Sequence, residues 1–370
     1  IGEYRLRGTP MLVVRDVMAR EPGAAKPLLR AERIHLSLPW STLRARGTDL
    51  TVKRAELDGP VLDLPAFRHW LSTRPTGESR IPTLTGGLRV TNGTLDNGNW
   101  SIDAIDIDMP KLAPGKPVNA QVRGRYVDPP RRIIFNLAVA LSQPAKRAGF
   151  AAVGPVTVQS NDWSLPASIK LSGPLLIDDD AVRLTPARLA MAARYKSASN
   201  KSASNDIPLA LGLSGPLQFK DSVWTWAPAG VALRGEDRVP DLSAHGALAY
   251  GRALVLELDG NIPAWPDAWP ALPPPLSASK SRLSFGVRYN GKADLTGVAA
   301  LRLSRDTTRF AGRLRVFDVS KWISSKPPTS PLPPLDGVLT TPALKISGAQ
   351  LDGVEITFDD PDIPAIEPAP

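Results

Sequence analysis

The sequence contains no cysteine and only three histidines in 370 residues. The missing cysteines exclude disulfide bridges, cysteine metal ligands and thiol catalysis. His35, His69 and His245 stand far apart, without the HxxH or HExxH spacing of a metal site. The sequence also lacks a GxSxG nucleophile turn, a GxxxxGK[ST] phosphate loop and a strand-borne GxGxxG motif. These absences predict a non-enzymatic protein without a cofactor or a metal.

Long hydrophobic runs are missing as well. No stretch of eighteen apolar residues occurs, so the sequence predicts no transmembrane helix. The chain begins at Ile1 rather than methionine. We therefore expect either that a signal or anchor segment has been removed, or that the sequence has been trimmed.

The net charge of +9 permits anionic partners such as phospholipid headgroups. The basic residues are scattered, and none of them forms a Lys/Arg block interleaved with aromatic residues. The pattern therefore predicts no nucleic-acid partner. Two acidic stretches could suggest a site. The carboxylates at 103–108 lack the glycine and glutamate of a calcium loop, and 178–180 is typical of a turn.

An internal repeat is the clearest positive feature. The pentapeptide Leu-Ser-Gly-Pro-Leu occurs at 171–175 and again at 213–217, an offset of 42 residues from position 171 to position 213. The correspondence extends over 168–233, where each copy contains short apolar strands around a Gly-Pro break. A fixed period of this length is typical of stacked supersecondary units.

Alternation of apolar and polar residues predicts about twenty short strands, each with one apolar face. A single sheet of that size would measure on the order of 100 Å, so it must curl. The predicted fold class is all-β: an elongated, curled antiparallel β-groove of repeated short strands. Two short amphipathic helices accompany it. One follows Asp63 over 64–71 with a proline in its first turn, and the other covers 318–325.

Composition also predicts the domain organisation. A β-repeat body covers 1–262, a segment rich in Pro and Trp at 263–276 is a linker or loop, and 277–370 continues the same sheet. The low-complexity segment 196–205 is predicted to be a flexible surface loop. Asn92-Gly93 and Asn97-Gly98 are hairpin signals.

Three stretches carry a family resemblance. Each is a degenerate pattern of hydrophobic residues and glycine. The stretches are Thr51-Val-Lys-Arg-Ala-Glu-Leu-Asp-Gly-Pro-Val-Leu-Asp-Leu64, Leu88-Arg-Val-Thr-Asn-Gly-Thr-Leu95 with Ile105-Asp-Ile107, and Ile346-Ser-Gly-Ala-Gln-Leu-Asp-Gly-Val-Glu-Ile356. Together with Ala31–Leu38 they resemble the AsmA-like family of bacterial envelope proteins. The resemblance implies a periplasmic body tethered to the inner membrane by an N-terminal helix, and a rolled sheet whose apolar interior shelters lipid acyl chains. It also implies kinship with bridge-like lipid transporters, and it carries no catalytic residues.

The leading hypothesis is therefore a periplasmic protein that binds or transfers a phospholipid or another envelope lipid. Each candidate below could instead pack against a neighbouring strand. The candidate lining residues lie on the apolar faces of three predicted strand regions: Ile133, Phe135, Leu137, Val139, Leu254, Leu256, Leu283, Phe285 and Val287.

Two alternatives stay open. The first is a non-enzymatic scaffold or assembly factor for a secretion system or for the outer membrane, which would recruit an envelope protein through an edge strand. The resemblance also links this predicted sheet to a similar one in the N-type component of type II secretion. The second is a β-sandwich array that binds polysaccharide, although Trp265 and Trp269 lie in a proline-rich segment rather than on a flat platform.

Overall fold

The computed structural model describes most of the chain. The described residues are 2–5, 9–24, 26–44, 50–73, 81–178, 180–197, 206–236, 239–269, 272, 274–277, 279–324, 334–346, 348–361 and 363–364. The predicted loop at 196–205 falls largely outside them, because only 196–197 are described, as the end of a strand.

Most described residues belong to β-strands. The first twelve strands are β1 (Gly2–Arg5), β2 (Met11–Ala19), β3 (Leu29–Ser37), β4 (Thr51–Val52), β5 (Arg54–Asp58), β6 (Val61–Asp63), β7 (Thr83–Leu84), β8 (Leu88–Asp96), β9 (Ser101–Met109), β10 (Val118–Asp128), β11 (Arg131–Leu141) and β12 (Arg147–Gln159). The others are β13 (Trp163–Ile177), β14 (Ala181–Ser197), β15 (Ile207–Lys220), β16 (Val223–Gly235), β17 (Leu242–Tyr250), β18 (Leu254–Ile262), β19 (Leu283–Gly291), β20 (Val298–Arg305), β21 (Thr308–Arg315), β22 (Asp336–Ile346) and β23 (Ala349–Phe358).

Three short helices complete the described structure: α1 (Trp40–Arg44), α2 (Leu64–Ser72) and α3 (Val316–Ser324). The predicted all-β class, with repeated antiparallel strands and short helices, is confirmed. One helix more is present than the sequence predicts, because α1 has only five residues, too few to show a repeated helical period. The predicted cap of α2 is also confirmed, since the Asp63 carboxylate accepts a hydrogen bond from the Ala66 amide at 2.8 Å.

The chain divides into two compact units. Unit 1 contains 1–176 and 193–206, and unit 2 contains 177–192 and 207–370. The predicted boundary after residue 262 coincides with the end of β18, and β18 pairs directly with β19 inside unit 2. The strands on either side of 263–276 therefore belong to one sheet.

In unit 1 most neighbouring strands pair antiparallel. The pairs are β1–β2, β2–β3, β3–β5, β3–β6, β8–β9, β9–β10, β10–β11, β11–β12 and β12–β13. The exceptions are β5 and β6, which both pair parallel to β8, and β4, which pairs parallel to β7. A parallel partner requires a crossover, and α2 with the residues after it provides the chain length.

In unit 2 the strands β15 to β21 follow one another as antiparallel neighbours, and β22 and β23 continue the series. Two pairs of equivalent positions in the 42-residue repeat are buried alike. Ala187 and Ala229 are 0% and 2% exposed, and Leu184 and Trp226 are 7% and 8% exposed. The repeat of burial is not complete, because Ala181 is 4% exposed and its equivalent Val223 is 38% exposed.

One hairpin prediction is wrong. Asn97-Gly98 lies at the turn between β8 and β9 as expected, but Asn92-Gly93 lies within β8. The pairing of β8 with β9 shifts register on either side of Gly93, and Asn92 has a φ of 52°. Asn-Gly accepts the positive φ of a bulge as readily as that of a tight turn, so the dipeptide alone could not distinguish the two.

Candidate functional site

Unit 1 carries a row of apolar side chains that crosses seven strands. Residues directly opposite each other on paired strands point to the same face, so the register defines the row. Every member is half-buried rather than fully buried. The row consists of Val14, Ile34, Leu57, Val90, Ile107, Val122 and Leu137.

Four of the predicted lining residues lie on this face. Ile133, Phe135, Leu137 and Val139 alternate along β11, and all four are half-buried. The Phe135 ring lies over Gly124 of β10, where an added Cβ would come within 2.7 Å of the ring. The unit 1 lining set predicted from the sequence is therefore brought together on one surface.

The opposite face of unit 1 carries ion pairs, and the exposed side chains of Ile134 and Val153 also lie on it. Arg125 and Asp103 form a two-pronged ion pair across β9 and β10, with both nitrogen–oxygen distances at 2.9 Å. The hydrogen bonds from Arg125 hold the pKa of the Asp103 carboxyl below its ordinary value. Farther along this face, His35 Nδ1 lies 3.1 Å from a Glu56 oxygen, and this hydrogen bond is the main cause that lowers the pKa of Glu56. These ion pairs of unit 1 therefore lie on the face opposite the apolar row.

Unit 2 has an apolar face of the same kind. One row crosses the seven strands from β15 to β21 and includes three half-buried side chains and four buried ones. The row consists of Leu217, Trp226, Leu248, Leu256, Tyr289, Ala299 and Leu314. The remaining candidates, Leu254, Leu283, Phe285 and Val287, share this face.

One end of the unit 2 face is a covered core. Leu283 is fully buried and belongs to a cluster with Ile262, Leu276, Phe310 and Leu339. Phe285 packs against the same cluster from a partly buried position. Leu283 is therefore a core residue, whereas Leu254, Leu256 and Val287 are half-buried.

The cover comes from the segment that the sequence predicts as a linker or loop. Trp265, Leu272 and Leu276 pack on the cluster, and these three residues are called the cover below. Trp265 and Trp269 meet edge to face with ring centroids 5.0 Å apart. The proline-rich segment is therefore packed against the core. Its backbone can do this without strand pairing, which proline disfavours.

Arg305 holds the cover in place through hydrogen bonds, and the sequence patterns did not predict this role. It occupies an apolar-face position at the end of β20, two residues after Leu303, and is only 6% exposed. Its Nη1 donates to the backbone oxygens of Leu276 at 2.8 Å and of Ser279 at 2.9 Å. An arginine at the third position of the alternation Leu301, Leu303, Arg305 is the signal that could have identified it.

Asp306, which follows Arg305 in the turn between β20 and β21, also contacts the residues that follow the cover. Its carboxylate accepts a hydrogen bond from the Ser281 hydroxyl at 2.8 Å. Hydrogen bonds from Ser279 and Ser281 lower the pKa of Asp306. Two neighbouring residues, Arg305 and Asp306, therefore hold the residues that follow the cover.

The acidic run at 178–180 is part of ion pairs in the described residues. Asp178 pairs with Arg183, and Asp180 accepts a hydrogen bond from Lys220 at 2.5 Å. Lys220 lowers the pKa of the Asp180 carboxyl through this hydrogen bond. The Asp180–Lys220 pair joins the two equivalent turns of the repeat, whereas Asp178 pairs with Arg183 at its own turn.

In the described part of the chain, no helix combines the length and hydropathy of a membrane span.

No known protein family, curated protein or solved structure matches this chain.

Proposed function

We propose that this protein is a non-enzymatic lipid-binding or lipid-transfer protein of the bacterial envelope, working in the periplasm. The proposed ligands are phospholipid acyl chains lying on the apolar faces. The observation that carries the proposal is the seven-strand row ending at Leu137, whose members all remain half-buried in the described structure. The resemblance to the AsmA-like family supports the same function, the periplasmic location and an inner-membrane tether.

The physical argument rests on incomplete burial. A side chain in a protein core is usually more than nine-tenths buried, as Leu283 is. The row in unit 1 leaves apolar surface in contact with water, and an acyl chain laid across it would gain about 0.8 kcal/mol per buried methylene. Transfer of a lipid between membranes requires only this desolvation, so no catalytic group is needed.

Native mass spectrometry of the protein purified without detergent, followed by lipid extraction, tests the proposal. We expect a mass increment that corresponds to a phospholipid and that disappears in Leu137→Glu, because the charged group faces the proposed acyl chain. Ala138→Glu is the matched control. It adds the same charge one residue away, on the exposed opposite face of β11, and we expect it to retain the lipid.

Two results would count against the proposal. The proposal would be wrong if the folded protein had the mass of the chain alone and bound no added phospholipid. Equal lipid retention by folded Leu137→Glu and by Ala138→Glu would show that this face is not the binding surface. Circular dichroism of both variants establishes that they are folded.

The second candidate function is a scaffold that recruits an envelope protein by strand addition. The observation that favours it is β23, which pairs with β22 and with no other strand among the described residues. Leu351 on this strand is 48% exposed. A strand with one free edge can accept a partner strand through backbone hydrogen bonds. Thr357→Pro within β23 would weaken capture of such a partner while leaving lipid binding intact.

A further inference from the structure

The polar face of unit 2 contains a cleft of about 480 Å³ that crosses strands β17 to β21. This volume lies within the range of about 300–1,000 Å³ that small-molecule sites occupy. The side chains on its polar rows are those of His245, Asp259, Asn261, Ser284, Arg302, Ser304 and Arg309.

The cleft exists because its centre lacks large side chains. Gly286 lies between Asp259 and Arg302, its direct neighbours on the two flanking strands. A Cβ added at Gly286 would come within 2.6 Å of Asp259 Oδ1 and 3.2 Å of Arg302 Nε. The two charged side chains therefore meet above the glycine, where Oδ1 and Nη2 are 3.2 Å apart. In the next row the small side chains of Ser284 and Ser304 lie between Asn261 and Arg309.

Charge is unbalanced at this point of the face. Three cations on the face have carboxylate partners, in the pairs Arg288–Glu257 at 2.7 Å, Arg302–Asp259 at 3.2 Å and Arg313–Asp336 at 2.9 Å. Arg309 differs, since its cross-strand neighbours are Ser304 and Thr340. Within the described residues no carboxylate lies within salt-bridge distance of Arg309.

We propose that this cleft binds the phosphate group of a small, soluble phosphorylated compound. The Arg309 guanidinium presents a planar fork of donors that matches two phosphate oxygens. Ser304, directly opposite Arg309, offers a hydroxyl donor, and Arg302 stands on the adjacent row of the same face. The third phosphate oxygen therefore has donors within the same cleft, and the remaining volume accepts the organic part of the ligand.

The site is separate from the proposed lipid surface. Ser304 and Arg309 alternate with Leu303 and Phe310, which point to the apolar face of the same strands. A lipid whose acyl chains lay on the apolar face could not place its headgroup in the cleft, because the sheet lies between them. The phosphate therefore comes from a soluble compound, and the inference does not depend on the proposed lipid function.

Isothermal titration calorimetry of the full chain with glycerol 1-phosphate tests the proposal, with inorganic phosphate as the minimal probe. We expect one saturable site per chain, weakened at least about tenfold by Arg309→Ala, which removes a charge-assisted hydrogen-bond pair. Arg309→Lys keeps the charge but loses the fork, and we expect it to bind with intermediate affinity. Arg288→Ala is the control, because it also removes an exposed cation from the same face but outside the cleft, and it should change affinity less than twofold.

Binding that does not saturate, or that Arg288→Ala and Arg309→Ala weaken equally, would overturn the proposal in favour of general attraction to a basic protein. A second experiment, with lipid vesicles, distinguishes a lipid headgroup from a soluble compound as the source of the phosphate. Sedimentation with phosphatidylglycerol vesicles that depends on Arg309, combined with no binding of glycerol 1-phosphate, would overturn the assignment to a soluble ligand. Vesicle binding that is unchanged in Arg309→Ala, combined with Arg309-dependent glycerol phosphate binding, would support it.

Discussion

The guanidinium of Arg305 donates a hydrogen bond to the backbone oxygen of Leu276, with 2.8 Å between Nη1 and the oxygen. A buried cation thereby holds a segment without strand pairing against the end of a β-sheet. Both residues are almost completely buried, at 6% and 3% exposure. The contact joins β20 to the cover across 29 positions of sequence.

Arg305→Ala should lower the free energy of unfolding by about 3 kcal/mol, because the buried Leu276 oxygen and the partly buried Ser279 oxygen lose a charged donor and a gap remains. Arg305→Lys should lose less, since one donor can still reach an oxygen. Urea denaturation followed by tryptophan fluorescence measures both changes. Arg288→Ala is the control, because its exposed pair with Glu257 contributes about 0–1 kcal/mol. Equal losses at Arg305 and Arg288 would contradict the anchoring role.

Leu283→Ala should destabilise the protein by about 3 kcal/mol, because the side chain is fully buried and its removal leaves a cavity. Leu256→Ala removes the same atoms from a half-buried position on the same face, and we expect a loss of about 1 kcal/mol. Comparison of the two denaturation midpoints tests whether the face is covered at Leu283 and open at Leu256. A loss at Leu256 as large as that at Leu283 would show that the face is covered throughout.

The Asp103–Arg125 pair should make stability depend on pH in the acid range. The folded-state pKa of Asp103 is lowered, so its stabilisation is present above the unfolded pKa of about 4 and is lost as pH falls through the folded pKa. Asp103→Asn should therefore reduce stability at pH 7 by about 0.5–1 kcal/mol, and this loss should shrink as pH falls below about 4. Denaturation of both proteins across this range tests it, with Asp108→Asn on the same strand as the control. A constant difference at every pH would contradict the electrostatic origin.

Gly87→Ala should destabilise unit 1 far more than Gly98→Ala, although both glycines have a φ near +80°. A Cβ at Gly87 would lie 1.9 Å from the Met109 backbone oxygen, whereas a Cβ at Gly98 meets nothing within 4 Å. Gly98→Ala carries only the conformational penalty of about 1–2 kcal/mol. Gly87→Ala must also displace backbone, so we expect a loss of more than about 3 kcal/mol. Thermal unfolding of the two variants compares them directly.

Local patterns predicted much of the strand content. The alternation in 133–139 placed four apolar side chains on one face of β11, and the structure has them there. The Asp63 cap and the proline after it predicted the start of α2, because a cap acts on the backbone within one turn. The same local logic failed at Asn92-Gly93, where pairing with β9 turned a hairpin signal into a bulge.

The sequence by itself determined the all-β class, the polar and apolar faces and the repeat, because each depends on periodicity within a few residues. The tertiary structure decided which apolar positions became core. Leu283 and Leu256 have the same residue type and face, but only Leu283 lies under the cover that Arg305 holds. It also decided which cation stays uncompensated, since Arg302 meets Asp259 across Gly286 while Arg309 faces Ser304. Burial and charge pairing depend on residues brought together from distant parts of the chain, and no local pattern encodes them.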